Sequence, residues 1–367
     1  MTEINRRRFL GILTALPLAP YCATATAAAA AAEAPRLASA VSSDDGVHSL
    51  LIRRADGQTL FQHPLPARAH QVLVDAPRQR LVVVSRRPGY SLEVIDYREL
   101  KALKRIAVTE GGSFYGHAEL SADGRYLMTT EASAADDEGR VVFRDVEDDY
   151  RVVREIRSGG VGPHELRRFG DTLIVANGGI RTEGREKTNL DTMQPSLVRL
   201  DIASGEIRET HRFDETFHQA SIRHIDLTPD GAVLVAMQYE GTPRPDTPLA
   251  AIQRPGEAMT TLPIPAGVHA QLRQYCGSAC VDSSGRYGAI SAPRGNQMMF
   301  WDLQEARYLG QCMVLDGCGL ARGQAAGEFY ASSGVGRVYR LKAQTQARER
   351  IDKTPSLHWD NHMVNLA

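Results

Sequence analysis

The sequence predicts an all-β protein, a seven-bladed β-propeller in which N- and C-terminal strands close one blade together. Three observations carry this. Short runs of β-forming residues return roughly every 40–60 residues, the period of propeller blades. Their apolar periodicity is two and the turns between them are rich in glycine and aspartate, which argues against helices. The first and last runs are complementary fragments of one such unit.

The clearest unit begins at His117-Ala-Glu-Leu-Ser-Ala-Asp-Gly-Arg-Tyr-Leu-Met-Thr-Thr-Glu131 and continues through strands at 140–145 and 151–156. The same grammar returns from His164 and from His224, with Asp123-Gly124, Gly170-Asp171 and Asp230-Gly231 where a tight hairpin needs positive φ. An earlier copy starts at His70, and weaker copies start at Cys276 and Gly317. Strands at 37–41, 49–53 and 59–65 lack an innermost partner, and the chain ends on an unpaired run from His362. Joining the two ends completes a seventh blade and leaves only short outer edges unpaired.

Ahead of the repeats, Asn5-Arg-Arg-Arg-Phe-Leu10 precedes a short uncharged stretch and an alanine-rich run. This is the layout of an export signal, and the paired arginines fit the twin-arginine route. Residues 1–32 are therefore expected to be the signal, and residues 33–367 a single propeller in the periplasm. Nothing after the signal offers the roughly 20 apolar residues a membrane span needs. With 43 basic against 44 acidic residues the net charge is −1, so no basic field recommends nucleic acid. Cys276, Cys280, Cys312 and Cys318 permit one or two disulfides in an oxidising compartment, and spacing does not choose among the pairings.

The histidines share a register. His117, His164 and His224 each stand six residues ahead of the turn, His70 holds nearly the same place in its unit, and His362 opens the terminal strand. Innermost strands line a propeller's channel, so these five side chains should meet near the axis. Crowded imidazolium ions would repel, whereas neutral imidazoles bind iron, copper, zinc or nickel, and a metal ion is the simplest reason to gather them. Glu119 and Asp226, two residues beyond His117 and His224, are expected on the same strand face as partners for the imidazoles or as harder ligands. Glu165 is out of that phase and is expected to point elsewhere. Cys276, Cys318 and His358 are further candidate ligands. The competing explanation is a structural histidine, hydrogen-bonded between blades and copied when the blades duplicated.

Thr172-Leu-Ile-Val-Ala-Asn-Gly-Gly179 with Ser196-Leu-Val-Arg-Leu-Asp-Ile-Ala-Ser-Gly205 resembles the YVTN-type propeller repeat. Gly116-His-Ala-Glu-Leu120, Gly162-Pro-His-Glu-Leu166 and Trp359-Asp-Asn-His-Met363 resemble a twin-arginine-exported family, domain of unknown function 1513. That resemblance implies genes beside imelysin-type iron-uptake proteins, and hence iron handling and an imelysin-like partner. It supplies no catalytic residues. Three functions follow: a periplasmic protein binding iron, or less readily copper, for uptake; a metal-dependent redox enzyme with a histidine-held centre in the channel; or a metal-free interaction scaffold. The sequence favours a binding protein over an enzyme.

Overall fold

A computed structural model describes residues 34–133, 138–183, 186–354 and 356–366. The reading of residues 1–32 as a signal lies outside the described residues. Among the described residues, 34–366 form seven four-stranded antiparallel blades, as the repeat predicts. The innermost strands are, in blade order, Ala69–Asp75, Gly112–Leu120, Pro163–Phe169, Ala220–Leu227, Ser278–Val281, Gly317–Arg322 and Leu357–Asn365. Blade 7 pairs Leu357–Asn365 with Arg36–Ser43, followed by His48–Arg54 and Thr59–Leu65, so both ends of the chain close the ring. One parallel bridge, Leu320 to His362, joins blades 6 and 7 into a continuous eight-stranded sheet.

The turns behave as their sequences require. Gly124 and Gly231 sit at φ +69° and +83° between first and second strands, a conformation that costs glycine nothing and a β-branched residue a great deal.

Because both faces of each blade are covered by its neighbours, middle strands such as Leu81-Val-Val-Val84 are apolar throughout and wholly buried. The apolar clusters lie between blades: Val82, Leu92, Phe114 and Leu127 join blades 1 and 2, and Met128, Phe143, Leu173 and Val198 join blades 2 and 3. Each such side chain contributes roughly 1.5–3 kcal/mol on burial.

Around the channel, polar side chains of one inner strand hold the backbone of another. Gln71 Oε1 accepts the Ala118 N–H at 2.6 Å, Glu165 Oε2 the Ile225 N–H at 3.2 Å, and Asp226 Oδ2 the Val281 N–H at 2.8 Å. Each bond ties a blade to the next one in the chain, and the channel wall is thereby fixed in register.

Every inner strand that carries a channel histidine is interrupted by a β-bulge at that histidine. His70 and Gln71 together oppose Val84, because Ala69 pairs with Ser85 and Val72 with Val83. Tyr115, Gly116 and His117 stand opposite Thr130 alone. In blade 3, His164 falls between Pro163, which pairs with Asn177, and Glu165, which pairs with Ala176. In blade 4, Arg223 is the extra residue between Ile222 and His224. In blade 7, Asp360, Asn361 and His362 oppose Ala40. A bulge re-aims side chains that strict alternation would send to opposite faces, and the content of the channel follows from these five.

Candidate metal centre

The bulges bring the five predicted histidines to one place. Ring centroids of His70 lie 4.8 Å from His117, 4.6 Å from His362 and 5.6 Å from both His164 and His224. His164 is 5.0 Å from His117 and 4.6 Å from His224, and His224 is 4.9 Å from His362. One nitrogen from each of His70, His117, His224 and His362 falls within 4.8 Å of the other three, close enough for all four to hold one metal ion. These four are buried, none more than 8% exposed. His164 stands beside that group, half-buried, with its ring turned toward the wider cavity described below.

Burial keeps all five neutral. Desolvation is the largest cause in every case and holds His70, His117, His164 and His224 well below the usual 6.5, with neighbouring imidazoles adding to it at His70, His117 and His164 and arginines, Arg223 first, at His224. His362 is pushed down to about 3, again first by burial, against the opposing charge of Glu165. Neutral rings present lone pairs, the form in which histidine ligates a metal.

Two carboxylates decide which nitrogens carry those lone pairs. Asp360 Oδ1 lies 2.8 Å from His70 Nδ1 and also accepts the Asn361 N–H at 2.7 Å, while Oδ2 pairs with Arg68 Nε at 2.5 Å. Glu165 Oε2 lies 3.1 Å from His224 Nδ1 and 3.6 Å from His117 Nε2, and its Oε1 pairs with Arg167 at 2.8 Å. A carboxylate can only accept, so Nδ1 of His70 and of His224 carries the proton and Nε2 is left with its lone pair. Burial raises the Glu165 carboxyl, and Arg167 opposes that shift.

His117 Nε2 is 2.9 Å from His362 Nε2, and His117 Nδ1, like His164 Nδ1, is buried without a hydrogen-bond partner among the described residues. Two nitrogens about 2.0–2.1 Å from a common ion lie roughly 3 Å apart, so the spacing suits a metal as well as an N–H···N bond. The donor set fits a transition ion: four neutral imidazoles, a carboxylate at the edge and no thiolate.

Several expected participants lie elsewhere. Glu165, expected to point away, is the carboxylate at the centre, because the bulge at His164 shifts its phase by one. Asp226 does share a strand face with His224, but two residues advance about 6.8 Å along a strand. Its oxygens accept from Arg322 at 3.0 Å and from Val281 N–H. Glu119 likewise lies beyond His117, its Oε1 accepting the Leu120 N–H at 3.0 Å. Cys276 is buried in the apolar core of blades 4 and 5, and Cys318 Sγ donates to the Asp316 carbonyl. Neither joins the histidines, and Cys276, Cys280, Cys312 and Cys318 are all free thiols, so neither of the disulfides the sequence permits is formed. His358 is bonded outside the channel, to the Gly334 carbonyl at 2.6 Å and to Asp44 at 2.8 Å. Asp360 was legible only as part of Trp359-Asp-Asn-His-Met363; nothing in strand alternation singles it out.

The histidines divide the channel. On one side a cavity of about 800 Å³ is floored by His70, His164 and His224. On the other a cavity of about 590 Å³ reaches His362 and is lined by Glu119, Arg167, Asp226 and Arg322. A small molecule can approach from either mouth.

Fold and site together define a β-propeller with a buried histidine cluster on its axis, capable of holding a metal ion. The chain belongs to the family described as Protein of unknown function (DUF1513), which it matches over residues 63–366. It matches none of the curated proteins by sequence. Among solved structures it is similar to Kuenenia stuttgartiensis hydrazine synthase at 18% identity and a TM-score of 0.55, covering 86% of this chain and 94% of that one. That likeness is one of fold. Among the described residues no helix is long and apolar enough to cross a membrane.

Proposed function

We propose that the protein is a redox metalloprotein whose resident ion is held by His70, His117, His224 and His362. The observation that carries this is the convergence of four neutral, buried imidazole nitrogens within 4.8 Å. A structural histidine needs one partner on a neighbouring blade; it does not need three other histidines, nor a bulge in each strand to bring them together.

Residence is favoured over transport by burial. A carrier must release its cargo, whereas these ligands sit in a closed ring and two of them, His70 and His224, are oriented by Asp360 and Glu165, which are themselves 2% and 1% exposed. Cavities on both sides of the cluster suit a centre that meets a small reactant. We assign the ion as iron, with copper as the competitor, because the oxygen donor beside the nitrogens is a hard carboxylate and no thiolate is near. Such an ion would supply one-electron chemistry; the chain's part is to fix the tautomers of His70 and His224 and to keep the ligands buried. The proposal also takes up the periplasmic location and an iron-handling partner such as an imelysin-like protein, which rest on the signal and on family membership.

Untagged protein purified from the periplasm should contain one equivalent of metal per chain by mass spectrometry. The His117→Ala/His362→Ala double variant should contain less than a tenth of that while melting cooperatively. Undiminished metal in that variant excludes the site. Dithionite followed by peroxide should change and restore the absorption of the loaded protein, and an ion that does not cycle rules out the redox assignment.

A further inference from the structure

The cavity of about 800 Å³ above the histidines carries an excess of positive charge that the fold leaves unbalanced. Arg68, Arg86, Arg87 and Arg223 line it, and none of its lining residues is acidic. Asp360, just beneath, is already bonded to Arg68 and His70, with Arg86 at 3.9 Å. Among the described residues neither Arg87 nor Arg223 has a carboxylate within 4 Å. Arg87 is instead laid over the Tyr115 ring at 5.2 Å. Glu240, whose charge reaches Arg223, pairs with Lys187 at 2.5 Å through Oε2, and its Oε1 is buried without a hydrogen-bond partner among the described residues.

Like charges gathered on a low-dielectric wall repel, and such a cluster is costly unless something compensates it. The chain spends backbone regularity to put it there: Arg223 is the extra residue of the blade 4 bulge, and Tyr115 and Asn361 belong to the bulges of blades 2 and 7. Asn361 Nδ2 donates to the Tyr275 hydroxyl at 3.0 Å, which leaves the tyrosine proton free to donate into the cavity. Arg294 lies over the Tyr275 ring at 4.6 Å. The mouth is thus donor-rich and acceptor-poor, with planar guanidinium forks that match carboxylate and phosphate oxygens two at a time.

We propose that this mouth binds a small multivalent anion bearing carboxylate or phosphate groups, held by Arg87 and Arg223, with one end against His70, His164 and His224. Binding itself needs no metal ion. That the anion is the reactant or co-ligand of the centre rests on the metal assignment above. His164 fits this division of labour: its ring is outside the four-nitrogen group, half-buried and on the cavity floor.

Isothermal titration of metal-free full-length protein at low ionic strength, with tricarballylate, succinate, inorganic phosphate and sulfate in separate arms, tests the proposal. At least one probe should bind with a one-to-one stoichiometry, and its affinity should fall with added salt. Arg87→Gln and Arg223→Gln should each weaken it about ten- to a hundredfold, the loss of one charge-assisted contact. Arg340→Gln, at an exposed pair with Glu349 on the outer face, should leave it unchanged. Arg87→Lys, which keeps charge and loses the fork, should fall between and serves if Arg223→Gln does not fold. The stronger of the tricarballylate and phosphate arms identifies the anion's chemistry. The His117→Ala/His362→Ala variant should still bind the anion, so loss of the metal site and loss of the anion site are read separately. Absence of binding by every probe, or binding that both glutamine variants leave intact, overturns the proposal.

Discussion

His117 Nε2 and His362 Nε2 approach to 2.9 Å across the channel, from residues 245 apart in the chain. Burial depresses both imidazoles, and two N–H groups cannot face each other at that distance, so at most one of the facing nitrogens carries a proton. With both lone pairs turned inward, the pair is half of a ligand set that His70 and His224 complete. His70 and His224 are the two whose tautomers are fixed by carboxylates, whereas His117 and His362 are free to exchange theirs when an ion enters.

Glu165→Gln tests the carboxylate arm of that arrangement. The amide can still accept from His224 Nδ1–H, so the geometry survives, but the negative charge that raises the imidazole's basicity is gone. Loss of such an outer partner typically lowers metal affinity about 10–100-fold. Competition with a chromophoric chelator should show that drop. Wild-type affinity in the variant would mean that Glu165 serves only to cap Ile225.

Stability should decline as the solution is acidified from pH 7 to 5 in the metal-free protein. His70, His117, His164, His224 and His362 stay neutral when folded, because burial depresses them, yet in the unfolded chain they take up protons as the pH falls through about 6.5. The unfolded state then binds more protons, which costs up to roughly 1.4 kcal/mol per pH unit for each histidine. Glu165 and Glu119 are raised by burial and bind protons in the folded state above about 4.5, which acts the other way. So does His358, held up by the Gly334 carbonyl and Asp44; its half-exposed contribution is present at low pH and lost as the pH rises. Five imidazoles outweigh these. Chemical denaturation at a series of pH values should give a positive slope, and replacing His70 and His164 by Gln should reduce it.

The repeat, the ring closure and the five histidines were legible in the sequence because each depends on spacing that survives in one dimension. The turn six residues after His117, His164 and His224 fixes which strand is innermost, whatever the blades pack against. The carboxylates were not legible in the same way. Asp226 was placed on the correct face at the wrong height, and Glu165 on the wrong face, because alternation assumes an unbroken ladder and the ladder breaks at each histidine. Tyr115-Gly-His117 is a visible hint: Gly116 at φ +105° marks a bulge that no other residue type makes cheaply. The cysteines misled because an oxidising compartment permits bridges, while burial in separate apolar clusters keeps Cys276 and Cys280 apart.

Gly116→Ala should damage the centre without replacing a ligand. A Cβ at this position would stand 3.0 Å from His70 Cδ2 and 3.2 Å from His70 Cβ, and the backbone lies in the left-handed region that alanine resists. Strain of this kind costs on the order of 1–3 kcal/mol, and relief by moving His70 breaks its alignment with Asp360. The variant should melt earlier and bind metal more weakly. Lower stability with unchanged metal affinity would show that His70 is not held by that contact.

Removal of residues 357–367 should abolish the metal site and the cooperative fold together. Leu357–Asn365 supplies His362, Asp360 and the inner edge of blade 7, and six of its nine residues pair with the N-terminal strand. Ser39 Oγ donates to the His362 carbonyl at 2.5 Å, and Trp359 and Met363 fill the space between blades 6 and 7. Without it, the largely buried strand Arg36–Ser43 becomes an open edge facing the channel, a template for pairing with other chains. Ring closure is thus a condition for the centre as well as for the blade. The truncated protein should bind no stoichiometric metal and should self-associate in sedimentation. A monomer that still melts in one transition and still holds the ion would place the ligands, and the closure, somewhere other than blade 7.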